Sequence, residues 1–381
     1  MKPDTELHER LGVRPLINAA GTYTIVGGSR MSEETLRDMA AAARSHVMLR
    51  ELQERVHQRL AELTKNDAAF VTPGAASGLY LCIGAAVSER FGKPLHRCSR
   101  EEISDCEILV MAAHMNPYFI AAEQLGVRLR VVGYANEIYP IEADDIADAI
   151  NGRTVAILYA HVPPGGWAPE GGLPFETVRD VARAANVRLL VDGAAQLPPR
   201  ENFSRFTQAG ADAVVFSGGK GLRGPQSSGL VLGRASYMDR VRQNGFPNYG
   251  FGRMLKVGRE ELVALWSAVE QFMRESDEQE RERCEKMVAR LVAGCDAMPG
   301  VSARRHFPNE AGQPLPRALV TVAGMNLEVL SQAMLAGDPG VFVNGPPDGS
   351  GMFLNPVTLS EDELDAVLGR IETLPRALRP T

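Results

Sequence analysis

The sequence predicts an α/β fold with a mostly parallel central sheet and a smaller α+β domain at the C-terminal end. Three observations carry that expectation. From residue 106 to 233, short apolar runs bounded by Gly, Pro and Asp alternate with stretches of helical period, the pattern of successive βα units with helices on both faces. Two of those runs end in residues that carry chemistry: the run from Val187 closes on Asp192, and the next closes on Ser217. From about residue 297 the pattern changes to shorter runs split by Pro and Gly (ALVTVAG, GVFVNG, GMFLNPVTL) before a final helical stretch.

Taken in order, residues 11–30 (LGVRPLINAAGTYTIVGGSR) hold too many small residues and glycines for a helix and read as an extended arm with turns. Ser32 is placed to cap the helix SEETLRDMAAAARS, and LRELQERVHQRLAELTK has apolar residues at helical spacing. His46 and His57 lie on or beside these helices without a metal-ligand spacing and read as packed or solvated side chains. Residues 68–90 give a strand, a Pro-Gly turn and a helix. CEILVMAAH, RLRVVGY and RTVAILYAH are strands alternating with helices NPYFIAAEQLG, IEADDIADAI and PFETVRDVARAAN. PPGGWAPEGG (163–172) is a loop near the strand ends, and 244–258 a Gly-rich connector. A long helix follows from Arg259 into a highly charged face, and Ser360 with Glu363 forms a capping box for the last helix.

A chain of 381 residues makes two domains the natural expectation. The expected division is an arm and helix over 1–45, a large α/β domain over 46–258, and a linking helix with a small domain over 259–381. Hydrophobic content of 45% and charged content of 23% fit a globular protein with a large core. A net charge of −6 with no basic run gives no footprint for nucleic acid or an anionic membrane. No apolar stretch approaches the roughly 18–20 residues of a membrane helix. The charged N-terminus is unlike a signal peptide, and five cysteines without a C-x-x-C pair read as free thiols. Together these predict a cytoplasmic protein with no metal site.

The chemistry gathers at strand ends. In parallel sheets ligands collect at the carboxyl ends of the strands. There Asp192 ends one strand, and Lys220 follows Ser217 by three residues inside Gly218-Gly219-Lys220-Gly221. An acid and a lysine so placed suit pyridoxal 5′-phosphate: the lysine carries the aldehyde as a Schiff base and the carboxylate pairs with the pyridinium nitrogen. Gly74, Ala75, Ala76 and Ser77 open a helix straight after a strand, so their unblocked N–H groups can face an anion. That turn is neither a Walker A loop nor a G-x-G-x-x-G motif. The glycines beside Lys220 are expected to let a bulky ring approach the backbone.

The stretches NAAGTYTIVGGSRM, FVTPGAASGL, VDGAAQLPP, FSGGKGLRGPQSSGL and GRMLKVGREELVAL, spanning residues 18 to about 265, resemble the fold-type I (aspartate aminotransferase-like) pyridoxal phosphate enzymes. Within them the chain is most similar to the selenocysteine synthase-like group that includes D-glucosaminate-6-phosphate ammonia-lyase. The resemblance implies that Lys220 is the Schiff-base lysine and base, that Asp192 is the pyridinium partner, that Ser217 with Ala75, Ala76 and Ser77 holds the phosphate, and that His114 stacks on the ring. Relatives with sulfur chemistry carry His where this chain has Gly219, and Gln where it has Ala195; Gln196, one later, and His161 are the candidates for the phenolic oxygen. Arg30 and Arg223 are candidates for an anionic group of the substrate, against the alternative of surface ion pairs.

The expected activity is a lyase that eliminates water from a hydroxylated, possibly phosphorylated, amino acid or amino sugar acid, giving a keto acid and ammonia. The alternatives are a racemase, an aminotransferase, a selenocysteine synthase-like transferase, or a non-catalytic module of the same fold. The expected partners are a small-molecule substrate and a second copy of the chain. The arm holds Leu16, Ile17, Tyr23, Ile25 and Val26 without a period of its own and must lie against a preformed surface, which the resemblance makes a partner subunit.

Overall fold

The computed structural model describes residues 5–135, 138–167 and 171–374. In chain order the strands are β1 (Leu16–Asn18), β2 (Ala68–Thr72), β3 (Glu107–Met111), β4 (Arg128–Val132), β5 (Thr154–Ala160), β6 (Arg188–Asp192), β7 (Ala213–Ser217), β8 (Gly229–Gly233), β9 (Val301–His306), β10 (Arg317–Val322), β11 (Gly340–Phe342) and β12 (Met352–Leu354). They belong to two compact units. One comprises residues 30–275 with 311–313, the other 1–29 with 276–310 and 314–381. The expected boundaries at 45/46 and 258/259 therefore differ: helices Glu33–Ala43 and Arg259–Arg274 go with the large sheet, and the arm goes with the C-terminal residues.

In the larger unit seven strands form one sheet in the order β2-β8-β7-β6-β5-β3-β4. Pairings β3–β4, β3–β5, β5–β6 and β6–β7 are parallel, whereas β8 runs antiparallel to both β7 and β2. The sheet is mostly parallel, as the alternation of strand and helix periods predicts. Successive side chains of a strand face opposite sides, and here both sides are dry. Leu189, Val191, Val214 and Phe216 join one core with residues of helices Leu49–Thr64, Phe175–Ala184 and Arg259–Arg274. Leu190, Ala213, Val215 and Val231 join the other with helices Ala75–Arg90 and Ala235–Asn244. Burial on both faces is why these runs are continuously apolar rather than alternating. His57 is a packed histidine: Val71 N–H donates to its Nε2 at 3.0 Å.

In the other unit β12, β10 and β9 form an antiparallel sheet, and β1 pairs in parallel with β11. Ile17, Val320, Val341, Leu354 and Leu364 share its core with Met287 and Leu291 of helix Asp277–Asp296. The arm is thus extended, as its composition predicts, but it is held within its own chain. Ile17 is buried, Tyr23 accepts a hydrogen bond from Asn344, and Asn355 N–H donates to the Ala19 carbonyl. Only Ile25 of the five apolar arm residues is strongly exposed, at 81%. The long charged helix is two helices, Arg259–Arg274 and Asp277–Asp296, the second capped by Ser276. The Ser32 cap and the Ser360–Glu363 capping box form as the sequence predicts.

Candidate active site

The C-terminal ends of β3, β5, β6 and β7 lie side by side, and register sets what meets there. Ala160 of β5 pairs with Asp192, which pairs on its other side with Val215 of β7. Ser217 pairs with Gly229 of β8, and Gly229 with Thr72 of β2. One row across the sheet therefore runs from Ser217 to the residue that precedes the turn at Gly74.

At that turn Thr72 Oγ donates to the Gly74 carbonyl at 2.8 Å, and Gly74 sits at φ +118°, where only glycine is unstrained. Its backbone rests on β8: a Cβ on Gly229 would lie 2.4 Å from the Gly74 carbonyl carbon. Helix Ala75–Arg90 begins here without a side-chain cap. The first N–H groups of a helix have no intrahelical acceptor and carry the positive end of its dipole. Ala75, Ala76 and Ser77 thus stand where an anion could be received, with Ser217 half-buried in the row beside them.

Asp192 is 8% exposed. Its Oδ1 accepts from Ala194 N–H at 3.0 Å, and its carbonyl accepts from His161 N–H at 2.9 Å. Burial pushes the carboxyl above the ordinary carboxylate range, while the Ala194 N–H, the Lys220 ammonium and the Asn116 amide act in the opposite sense. Lys220 is half-buried in the loop after β7, close enough to act electrostatically on Asp192. The glycines around it have a reason different from the expected one. A Cβ on Gly218 would meet Ser228 Oγ at 2.0 Å, on Gly219 Gln226 Oε1 at 2.2 Å, and on Gly221 the Leu197 carbonyl at 1.9 Å. Protein atoms already fill the space; the glycines let this loop fold onto its own surroundings.

His114 is buried after β3, edge-on to Tyr159 at 4.6 Å, and its Nδ1 has no hydrogen-bond partner. Burial lowers its pKa to about 4, and that of His161 likewise. His161 sits edge-on to Phe206 at 4.7 Å. Gln196 is buried, donates to the Ala311 carbonyl at 2.9 Å, and keeps Oε1 as an unpartnered acceptor. Arg223 forms an ion pair with Glu275 at 2.7 Å, and Arg30 lies exposed just before the cap at Ser32. Part of the loop at 163–172 (168–170) falls outside the described residues; Trp167 before it is 46% exposed. Asn116, whose side-chain amide favours the charged form of the Asp192 carboxyl, is a residue beside the site that sequence reasoning missed. An Asn-Pro pair reads as an ordinary turn, and nothing in it announces the acid on another strand.

An amine, a buried carboxylate and an uncapped helix N-terminus stand at neighbouring strand ends, a combination that can receive an aldehyde cofactor bearing a phosphate and a basic ring nitrogen. With the sheet order, they place the chain in the class of fold-type I pyridoxal phosphate enzymes. Residues 7–295 match the family described as SelA, L-seryl-tRNA selenium transferase. The chain belongs to that family. It is 29% identical over 377 residues (96% of this chain, 91% of the relative) to a 5′-C-glycyluridine monooxygenase-decarboxylase of a Streptomyces species. It is 25% identical over 377 residues (97% of each) to the D-glucosaminate-6-phosphate ammonia lyase of Salmonella typhimurium. A solved D-glucosaminate-6-phosphate ammonia-lyase shares its fold with a TM-score of 0.82 at 24% identity, covering 99% of this chain and 100% of that one. Family and fold imply pyridoxal 5′-phosphate as cofactor, and the unpartnered His114 Nδ1, the uncapped helix and the buried Asp192 fit that group.

Proposed function

We propose that this protein is a lyase that eliminates water across Cα and Cβ of a hydroxylated, possibly phosphorylated, amino acid or amino sugar acid, releasing a keto acid and ammonia. The observation that carries it is the Lys220 ammonium facing the buried Asp192 carboxylate beside an uncapped helix. Bound pyridoxal phosphate supplies an electron sink for charge developing at Cα. Ala75, Ala76, Ser77 and Ser217 would hold its phosphate, His114 would lie against its ring, and Asp192 would keep a proton on its ring nitrogen. Lys220 Nζ would be the base that removes the Cα proton. The Cβ–O bond would then break, the hydroxyl leaving as water with the proton that Lys220 took from Cα, and the released enamine would be hydrolysed by a second water to keto acid and ammonia. Gln196 or His161 is the partner of the phenolic oxygen, and Arg223, exchanged from Glu275, or Arg30 meets an anionic group of the substrate.

The 29% identity over nearly the whole chain favours a second reading, oxidative decarboxylation of an amino acid joined to a nucleoside. The two separate in one assay. Holoprotein is incubated with D-glucosaminate 6-phosphate or with 5′-C-glycyluridine, and ammonia, keto acid, oxygen uptake and CO2 are followed. Ammonia with keto acid and no oxygen uptake supports the lyase; oxygen uptake with CO2 release overturns it.

We also propose that the active unit is at least a homodimer in the cytoplasm. Support comes from the resemblance, exposed Ile25, and five free cysteines; among the described residues no helix is long and apolar enough to cross a membrane. Sedimentation of a fully active monomer would refute the dimer.

A further inference from the structure

β3 and β5 pair as far as Val110 and Leu158, so Met111 and Tyr159 come next along them. Both side chains enter the core that also holds Phe175. Tyr159 is tied there at several points. Its ring stands at 78° to that of Phe175, and its hydroxyl donates to the Leu173 carbonyl at 3.4 Å. The Leu173 N–H in turn points to Met111 Sδ at 3.3 Å. His114, three residues beyond Met111, sets its ring at 87° to that of Tyr159, with centroids 4.6 Å apart. Perpendicular packing is the arrangement that aromatic quadrupoles favour over a face-to-face sandwich.

His114 has no such ties of its own. Its Nδ1 is buried without a hydrogen-bond partner, and burial is the one influence on its pKa. An imidazole without hydrogen bonds is turned by its walls alone. Tyr159 is one wall, and the backbone of Gly172 is another. A Cβ at position 172 would lie 2.6 Å from His114 Nε2 and 3.1 Å from its Cδ2. Any other residue there would therefore displace the imidazole. Gly172 lies outside the left-handed region that favours glycine, so room for this ring, and not a turn, is what the position requires.

We propose that Tyr159 and Gly172 are positioning residues for His114: a perpendicular ring and a bare stretch of backbone set the plane in which the imidazole lies against the cofactor ring. The inference rests on the assignment of His114 to that ring. Held by packing, the imidazole keeps its orientation whichever nitrogen carries the proton. A hydrogen bond to either nitrogen would instead tilt the ring toward its partner and fix one tautomer.

The test compares Gly172→Ala, Tyr159→Leu and Tyr159→Phe with the parent. The first puts a methyl where the imidazole lies, the second removes the perpendicular ring, and the third keeps that ring without its hydroxyl. In cofactor-free protein the His114 Cε1–H resonance is followed by NMR. It is one of seven in a histidine-labelled sample and is identified by its loss in His114→Asn. It is expected to move well outside the parental linewidth in Gly172→Ala and in Tyr159→Leu, and to stay in place in Tyr159→Phe. In the reconstituted proteins the visible circular dichroism of bound cofactor should fall by about half in the first two variants, and kcat by about tenfold. Tyr159→Phe should keep both near the parental values. A parental His114 resonance in folded Gly172→Ala or Tyr159→Leu overturns the proposal. If His114→Asn itself leaves the cofactor's dichroism untouched, the assignment of His114 to the ring fails, and the resonances still report whether Tyr159 and Gly172 hold the imidazole.

Discussion

The two edges of the seven-stranded sheet both bury acids, and they treat them differently. At the N-terminal edge Glu107 opens β3 and is met by Arg153 at 3.0 Å, Arg128 at 3.6 Å, Arg130 at 3.8 Å and the Asn151 amide at 3.0 Å. Asp212, just before β7, accepts from Arg188 and from Leu189 N–H, each at 2.9 Å. At the C-terminal edge Asp192 has one lysine, one backbone N–H and one amide, among two neutral imidazoles of which one has an unpartnered nitrogen. Buried charges are ordinarily matched in full. Among the described residues guanidinium groups meet the acids at one edge and none meets Asp192 at the other, which is the difference expected if the second edge takes a ligand.

Breaking the sparse edge should have the largest effects. Lys220→Ala should lower kcat by about 10³-fold or more, since both cofactor attachment and the Cα base are lost; borohydride reduction of the parent should fix the cofactor's mass on the peptide with Lys220. Activity surviving in Lys220→Ala excludes that role. Asp192→Asn should lower kcat by about 10²-fold while absorbance shows the cofactor still bound, because the phosphate cradle is untouched. Next comes the crowded edge. Asp212→Ala should cost about 2 kcal/mol in urea unfolding, leaving Leu189 N–H without its acceptor and Arg188 with Glu89 alone, and leave kcat within about twofold. A catalytic defect there would erase the distinction between the edges.

The smallest effect is on acid stability. Burial first, with Arg242 also acting on His57 and Arg205 on His161, lowers the pKa values of His57, His114 and His161 to about 3, 4 and 4 from 6.5 for a free histidine. Between these values the unfolded chain binds more protons. Stability is therefore full above about pH 6.5 and falls as pH drops toward 4; Asp192, raised, contributes in the opposite direction. His161→Phe should make the slope between pH 6.5 and 5 shallower by about a third, measured by urea unfolding at each pH.

Most of the sheet unit could be read from the sequence because its signals are local. Continuous apolar runs ending in Asp192 and Ser217, and helices of strict period between them, need no knowledge of distant residues. Lys220 stood out through its neighbours, although the glycines serve packing against Ser228, Gln226 and Leu197, which lie in loops whose paths no local pattern gives. β9 went unread because VSARRH shows no apolar alternation: Arg304 and Arg305, on opposite faces, are both exposed and only Val301 is buried. Helices Ala235–Asn244 and Leu327–Leu335 lacked a clear period amid Gly-rich flanks. The division into units escaped for another reason: it depends on β1 finding β11, a pairing that no stretch of sequence announces.

That pairing has a consequence for how the chain comes into being. The Arg14 guanidinium donates to the Gly337 carbonyl at 2.9 Å, 323 positions away, and Ile17 lies beside Val341. At roughly 5–20 residues per second of synthesis, the arm leaves the ribosome on the order of tens of seconds before the strand it pairs with exists. Residues 30–275 emerge whole in that interval, all but the short 311–313 segment of their unit. The nascent arm must stay unpaired while its large neighbour in sequence folds, and Leu16, Ile17 and Val26 are then what a chaperone would meet first. A bulky fusion placed before residue 16 would tax the last unit of the protein to be completed, although it is attached at the end that is made first.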